Sequence, residues 1–331
     1  MKAHVTEETS QLIKENSIRR FLRENSQTIS IFGVLIIISI LFSLFTNSFF
    51  TVSNITNVLV QIAPSIIVAV VMTYVITTGG IDLSVGSVLA LSSALTAVLL
   101  ANGFSSFTTL LIVLISGVLI GLLHGYVIAY LDIPPLIVTL AGLMYVRGIA
   151  LLITGGYSIA ISREYWLVES GQGLLLGIPI PIILALTFIV LGIVVLRNTK
   201  YGTYVTGIGA NEEAVHRVGV NTRKIKIITY IFSSVSAVIA GIIIASRLGS
   251  GSSNIGNMFE LDVIAAVVLG GTALFGGSGT VIGSVIGVAL IGIIKNGLTL
   301  MHVSPYLIQI VQGLVLLIAV IINVRVFRSG K

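Results

Sequence analysis

Residues 58–100 read VLVQIAPSIIVAVVMTYVITTGGIDLSVGSVLALSSALTAVLL. Two apolar stretches, 58–76 and 83–100, flank a short break that contains two glycines and one carboxylate. Each stretch is close to the length of about 20 apolar residues that an α-helix needs to cross the hydrocarbon core of a bilayer. The pattern therefore predicts two membrane-spanning helices that are joined by a flexible turn.

The rest of the chain repeats this pattern. Hydrophobic residues make up 56% of the 331 residues and charged residues only 9%, which lies far outside the range of soluble proteins. Eight further apolar runs are Ile29 to Phe45, Thr108 to Tyr130, Leu136 to Ile153, Ile182 to Leu196, Ile227 to Ala245, Leu261 to Phe275, Val281 to Leu300 and Tyr306 to Val324. The fold class is an all-α, polytopic helical membrane protein with about ten transmembrane segments. Leu261 to Phe275 is short and ends near glycines, which predicts a partial or re-entrant helix.

The positive charges indicate the orientation. Five Lys and Arg residues lie in residues 1–28, six in 197–226 and three in 325–331, and cytoplasmic segments retain such residues. Six apolar runs separate the first two segments and four separate the last two, so all three fall on one side and both termini are expected in the cytoplasm. We divide the chain into a cytoplasmic amphipathic segment, 1–28, and a transmembrane domain, 29–331, which includes the cytoplasmic loop 197–226. Segment 1–28 fits either a helix on the membrane surface or a disordered basic tail.

Several kinds of chemistry are excluded by the sequence. It has no cysteine and only four dispersed histidines, which gives no thiolate chemistry and no metal-ligand spacing. The sequence also lacks the motifs of phosphate-binding loops, of the nucleophile elbow of serine hydrolases and of zinc proteases. We therefore expect no catalytic residue, metal site or cofactor in this chain, and no nucleic-acid partner. If ATP drives its activity, the energy enters from another chain.

Three polar features interrupt the apolar runs. Asp82, in the break, either faces a path or caps the next helix together with Ser84. Arg147 lies inside an apolar run and needs a partner, for which Asp132, Glu260 or a backbone carbonyl are open alternatives. Glu260 and Asp262 lie at a predicted helix start, where carboxylates are favoured.

A glycine pattern occurs twice. Gly79-Gly80 is followed after five residues by Gly86-Ser87, and Gly270-Gly271 is followed after five residues by Gly277-Ser278. Each copy lies between two apolar runs, and by the predicted topology both run in the same direction. This is expected of a duplicated transporter half, although a glycine-rich chain also produces such matches by accident.

Residues 201–220 predict a short helix between spans. Asn211 is a favourable N-cap, Glu212 and Glu213 suit the first turn, and Gly219 suits a left-handed stop. Such a helix, exposed to water and carrying both signs of charge, is suited to bind a soluble partner. An ordinary solvated linker helix is the alternative.

Five pieces in order carry a resemblance: 79–87, IPPLIVTL at 133–140, Arg147-Gly148, 207–219, and 260–277 with Asn296-Gly297-Leu298. From about residue 30 the chain resembles the permease subunits of bacterial ABC sugar importers of the ribose, xylose and galactose group. The resemblance implies a location in the bacterial cytoplasmic membrane, in contact with lipid. It also implies three partners: cytoplasmic ABC ATPase subunits that bind the ATP and Mg, an extracytoplasmic sugar-binding protein, and a second permease copy or a close homologue. On this resemblance the ATPase-coupling residues are Asn211, Glu212, Glu213, Ala214, His216, Arg217 and Gly219, of which 216–218 depart from the commoner small and apolar residues.

The implied mechanism is alternating access, in which the ATPase moves the coupling helices and the glycine-broken spans change the side to which the path opens. A ribose-like pentose is the first candidate for the solute. The same architecture for another small polar solute and an ion-coupled secondary transporter are the alternatives. Candidates for the translocation path are Asn57, Gln61, Gly79, Gly80, Asp82, Ser84, Arg147, Gly270 and Gly271.

Overall fold

Residues 26–328 are described by a computed structural model, and each of the ten predicted apolar runs coincides with a helix in it. These helices are α1 (Ser26–Phe45), α2 (Val52–Thr77), α3 (Val85–Ala101), α4 (Ser106–Tyr130), α5 (Pro135–Thr154), α7 (Ile180–Asn198), α9 (Thr222–Leu248), α10 (Phe259–Leu269), α11 (Val281–Leu300) and α12 (Pro305–Arg328). Two further helices are the single turn α6 (Glu169–Gln172) and the kinked α8 (Lys200–Arg217). The surface helix predicted in segment 1–28 falls on residues 18–23, outside the described residues.

Seven of the described helices are long and apolar enough to cross a membrane: α1, α2, α4, α5, α7, α9 and α11. Helix α3 is shorter, with 17 residues. The all-α, polytopic membrane class is confirmed. Helix α10 has only 11 residues, or about 16 Å at the rise of an α-helix, which is roughly half of the hydrocarbon core. The partial helix predicted at Leu261 to Phe275 is therefore present, and it ends at Leu269.

Short strands lie between the helices. Strand β1 (Ser158–Ala160) pairs antiparallel with β4 (Ser250–Ser252), which joins the segment after α5 to the segment after α9. Strands β2 (Leu174–Leu175) and β3 (Ile178–Pro179) form a small hairpin before α7. A 3-10 turn at Trp166–Val168 precedes α6.

The core is built around α2, α3 and α9, and α9 packs against α2, α3 and α4. Helix α4 approaches α9 through three glycines four residues apart. A Cβ on Gly121 would lie 2.6 Å from Ile231 Cα, and one on Gly125 would lie 2.7 Å from Ile227 Cα. Small residues at this spacing let helix backbones approach closely in a membrane, where van der Waals contact drives association.

Candidate functional site

The break after α2 is organised by Asp82, which is fully buried. Its Oδ1 accepts hydrogen bonds from the Ser84 backbone N–H at 2.9 Å and from the Ser84 hydroxyl at 2.6 Å. Its Oδ2 accepts a bond of 2.7 Å from the hydroxyl of Ser233 on α9. The carboxylate therefore closes the turn before α3 and links that turn to α9. The expected cap on α3 itself is not seen, because the N-cap residue is Ser84, which makes no side-chain cap bond, and Asp82 binds only the Ser84 N–H of the backbone.

This polar network continues into α4 and α5. The Ser84 hydroxyl lies 3.4 Å from His124 Nδ1, and the Tyr145 hydroxyl lies 2.7 Å from His124 Nε2. The sequence analysis missed Ser233, His124 and Tyr145. The only indication of these three residues in the sequence is that each is a polar side chain within an apolar run.

Arg147 on α5 binds backbone carbonyls, the third of the alternatives left open. Its NH1 donates to Ser253 O and Ile255 O, both at 2.6 Å, and its NH2 donates to Gly86 O and Gly256 O, both at 3.3 Å. The guanidinium thus holds the irregular segment before α10 against the first turn of α3. Of the acidic alternatives, Glu260 is buried beside Gly86, close enough to Arg147 for charge attraction but without a direct ion pair among the described residues. Asp132 instead lines a groove near α8.

The two glycine-containing breaks meet each other. The Gly277 N–H donates to the Thr77 carbonyl at 2.9 Å, and a Cβ on Gly276 would lie 2.8 Å from Gly79 N. Gly209 of α8 packs into the same junction, where a Cβ would overlap Thr77 O and Gly277 N. Helix α8 therefore touches both breaks at one point.

Residues 211–219 have the local structure that the sequence predicted, whereas the helical first half of α8, before Asn211, was not predicted. Helix α8 kinks at Asn211, whose Oδ1 accepts the Ala214 N–H at 2.9 Å and so caps a short second helix. Gly219 stops it with φ +86°. Glu213 and Arg217 form an ion pair with side chains 74% and 75% exposed. The other coupling candidates Asn211, Ala214, His216 and Gly219 are exposed as well, whereas Glu212 is half-buried.

Two contacts connect this segment to the core. Glu212 Oε2 binds Lys226 Nζ on α9 at 2.6 Å. In the first half of α8 the Tyr201 hydroxyl lies 2.8 Å from the Thr229 hydroxyl, and the Tyr201 ring packs edge-on against Tyr74 of α2. Burial raises the pKa of Tyr201 to about 12, so its hydroxyl stays protonated near neutral pH. Helix α8 thus contacts both α2 and α9 through its side chains.

The path candidates lie in separate places. Asn57 and Gln61 are exposed on α2, whereas Asp82 and Ser84 are buried together in the core. The Arg147 guanidinium is hydrogen-bonded to backbone carbonyls of the segment before α10. Of the glycines, Gly79 is exposed, Gly80 packs under Tyr230, and Gly270 and Gly271 are buried near α11.

A comparison with protein families decides the assignment. The model of the family described as "Branched-chain amino acid transport system / permease component" matches residues 54–320. The chain belongs to this family. This permease is a multi-pass protein of the cytoplasmic membrane and a transport subunit.

Among curated proteins, the permease is similar to transport proteins named for sugars. It is 40% identical over 308 residues to the ribose import permease protein RbsC of Haemophilus influenzae, which covers 92% of this chain and 94% of the relative. It is also 40% identical to the ribose import permease protein of Bacillus subtilis, over 87% of this chain and 90% of the relative. A galactofuranose transporter permease protein of Escherichia coli is 39% identical over 82% and 80% of the two chains. No solved structure matches the permease.

Proposed function

We propose that this permease carries a monosaccharide, with a ribose-like pentose as first candidate, across the cytoplasmic membrane as a subunit of an ATP-driven importer. The observation that carries the proposal is 40% identity, over nearly the full length of both chains, to a protein named a ribose import permease. The family description names branched-chain amino acids, but the relatives named for ribose, galactofuranose and arabinose favour a sugar.

The proposed topology has ten segments in the membrane and both termini in the cytoplasm. The distribution of Lys and Arg supports this topology, because these residues concentrate in three segments. Six apolar helices separate the first segment from the second, and four separate the second from the third. In this orientation α8 and both glycine breaks lie at the cytoplasmic end, and the β1–β4 pair lies outside.

The ATPase partner docks on the second half of α8. That helix is exposed, carries an ion pair, and borders a groove of about 670 Å³ that is lined by Asp132, His216 and Arg223, among others. ATP and Mg are bound by that partner, so this chain needs no cofactor of its own. Motion of the docked helix reaches α9 through Lys226 and both breaks through Gly209. An extracytoplasmic binding protein delivers the sugar, and a second permease copy or a close homologue completes the path.

The test is uptake of labelled pentose by proteoliposomes that contain the permease, its ATPase and its binding protein. We expect uptake that requires ATP hydrolysis and stops when the ATPase is disabled. Uptake that continues without hydrolysis would overturn the proposal, and uptake driven by an ion gradient with the permease alone would indicate a secondary transporter. Binding of amino acids and not sugars by the binding protein would overturn the substrate class.

The same preparation tests the docking surface with a charge swap. The double variant Glu213→Arg/Arg217→Glu keeps an ion pair inside the helix, an exposed pair that contributes about 0.2–1 kcal/mol, while reversing the charges shown to a partner. We expect unchanged melting temperature and membrane insertion but weaker ATPase association and slower uptake. Full association in the double variant would remove the docking assignment.

A further inference from the structure

A polar stripe runs along one face of the outer half of α2. Asn57, Gln61 and Ser65 are spaced four residues apart, so they lie one above the other on the helix. Asn57 and Gln61 are exposed and Ser65 is half-buried. The Gln61 amide has no hydrogen-bond partner among the described residues. Ser53, Asn54 and Thr56 make the beginning of α2 polar as well, but between Val58 and Met72 the only polar side chains are Gln61 and Ser65.

Two charged side chains face the inner end of the stripe. Asp262, in the first turn of α10, and Lys295, on α11, line a cavity of about 70 Å³ together with Gln61 and Ser65. Both Asp262 oxygens accept from Gln312 Nε2 on α12, at 3.2 and 3.0 Å. Lys295 is close enough to attract the carboxylate, but it forms no direct ion pair with it in the described part of the chain.

Acyl chains do not suit this surface. Asp262 lies in the first turn of α10 and Lys295 in the last two turns of α11. Ionisable groups within membrane segments face water or another protein group. The cavity has room for a few water molecules, and Gln61 and Ser65 of the stripe are among its lining residues.

The donors and acceptors in the cavity fit a polyhydroxylated solute. A sugar hydroxyl both donates and accepts, and here a carboxylate accepts, an ammonium donates, and an amide and a hydroxyl do both. We propose that the cavity formed by Gln61, Ser65, Asp262 and Lys295 is a hydroxyl-binding station for the sugar inside the membrane, entered along Asn57 and Gln61. This inference rests on the proposed function and adds the place where the solute binds.

The absence of cysteine from the chain permits a direct labelling test. We expect Gln61→Cys, in the assembled importer, to react with a membrane-impermeant thiol reagent, and pentose with its binding protein to slow the reaction. The control Thr187→Cys replaces an exposed residue on α7, whose hydroxyl bonds only its own helix, and should neither react nor alter uptake. The proposed hydroxyl-binding site would be overturned if Gln61→Cys did not react, or if it reacted and no transported solute slowed the reaction.

A second measurement separates a solute site from a contact between permease copies. Loss of one charge-assisted hydrogen bond corresponds to about a tenfold rise in the KM of uptake for Asp262→Asn or Lys295→Met. Unchanged KM combined with loss of the second copy during purification would overturn the proposal in favour of an interface. If the wild-type protein carries a different small polar solute and that solute protects Gln61→Cys, only the proposed substrate fails. The proposal that this cavity binds solute hydroxyls is then supported.

Discussion

The two glycine-containing breaks, residues 78–84 and 270–280, are built in different ways. The first contains one left-handed glycine, Gly79, and is held by the buried carboxylate of Asp82. The second contains three left-handed glycines, Gly271, Gly276 and Gly277. It is closed by backbone bonds, such as Ala273 N–H to Ser278 O at 2.9 Å, and by the side-chain amide of Asn323 on α12.

Residues that match in the two sequence copies do not match in conformation. Gly79 has φ +81°, while its counterpart Gly270 has φ −62°. Gly86 lies within α3, where a Cβ would lie 2.7 Å from Gly256 O, while its counterpart Gly277 is left-handed with φ +82°. The shared pattern thus marks places where backbones approach closely. It does not mark equivalent turns.

The largest effect is expected at the first break. Asp82→Leu leaves the Ser84 N–H and the Ser84 and Ser233 hydroxyls without their buried acceptor, so we expect a loss of about 3 kcal/mol or more in the free energy of unfolding. The melting temperature of the purified permease measures it. Asp82→Asn keeps the shape and one acceptor oxygen and should lose clearly less. Equal melting of wild type and Asp82→Leu would show that the carboxylate does not hold the break.

An intermediate effect is expected where the two breaks meet. Gly209→Ala places a methyl group against Thr77 O, at the end of α2 directly before the first break, and against Gly277 N of the second break. Overpacking of this kind costs about 1–3 kcal/mol. We also expect slower ATP-driven uptake, because α8 loses its close contact with both breaks. Gly207→Ala is the matched control, since its methyl group meets only one side-chain methyl group, that of Val215 at 2.9 Å, and no backbone atom. Equal uptake by the two variants would argue that force does not pass through the junction.

Features of the fold that depend on residues close together in the sequence were predicted. The apolar runs gave the helices, because membrane insertion depends on the local sum of hydrophobicity. The cap at Asn211 and the stop at Gly219 were also predicted, because both are formed within a few residues of chain.

Features that depend on helix packing were not predicted. The Asp82–Ser233 bond joins residues 151 positions apart, and nothing near Asp82 in the chain selects a serine on α9. The partners of Arg147 are backbone carbonyls, which every residue carries and no sequence pattern reveals. The stripe at Asn57 and Gln61 was predicted as two single candidates. Only the arrangement of α2, α10 and α11 places Asp262 and Lys295 beside it.

The smallest effect is expected at the second break. Asn323 accepts the Leu274 N–H at 3.3 Å and donates to Thr272 O and Val268 O at 2.9 and 3.2 Å. In Asn323→Leu, Val268 O keeps its bond from the Gly271 N–H, whereas the buried Thr272 carbonyl and the half-buried Leu274 N–H lose the partner described for them. We expect a loss of about 1–2 kcal/mol in the free energy of unfolding. The control Asn102→Leu removes an exposed amide bond to Val98 O and should leave the melting temperature nearly unchanged. Asn323→Leu should therefore destabilise less than Asp82→Leu, because the backbone holds the second break while side chains hold the first. The reverse order would mean that the amide, and not the glycine backbone, supports the second break.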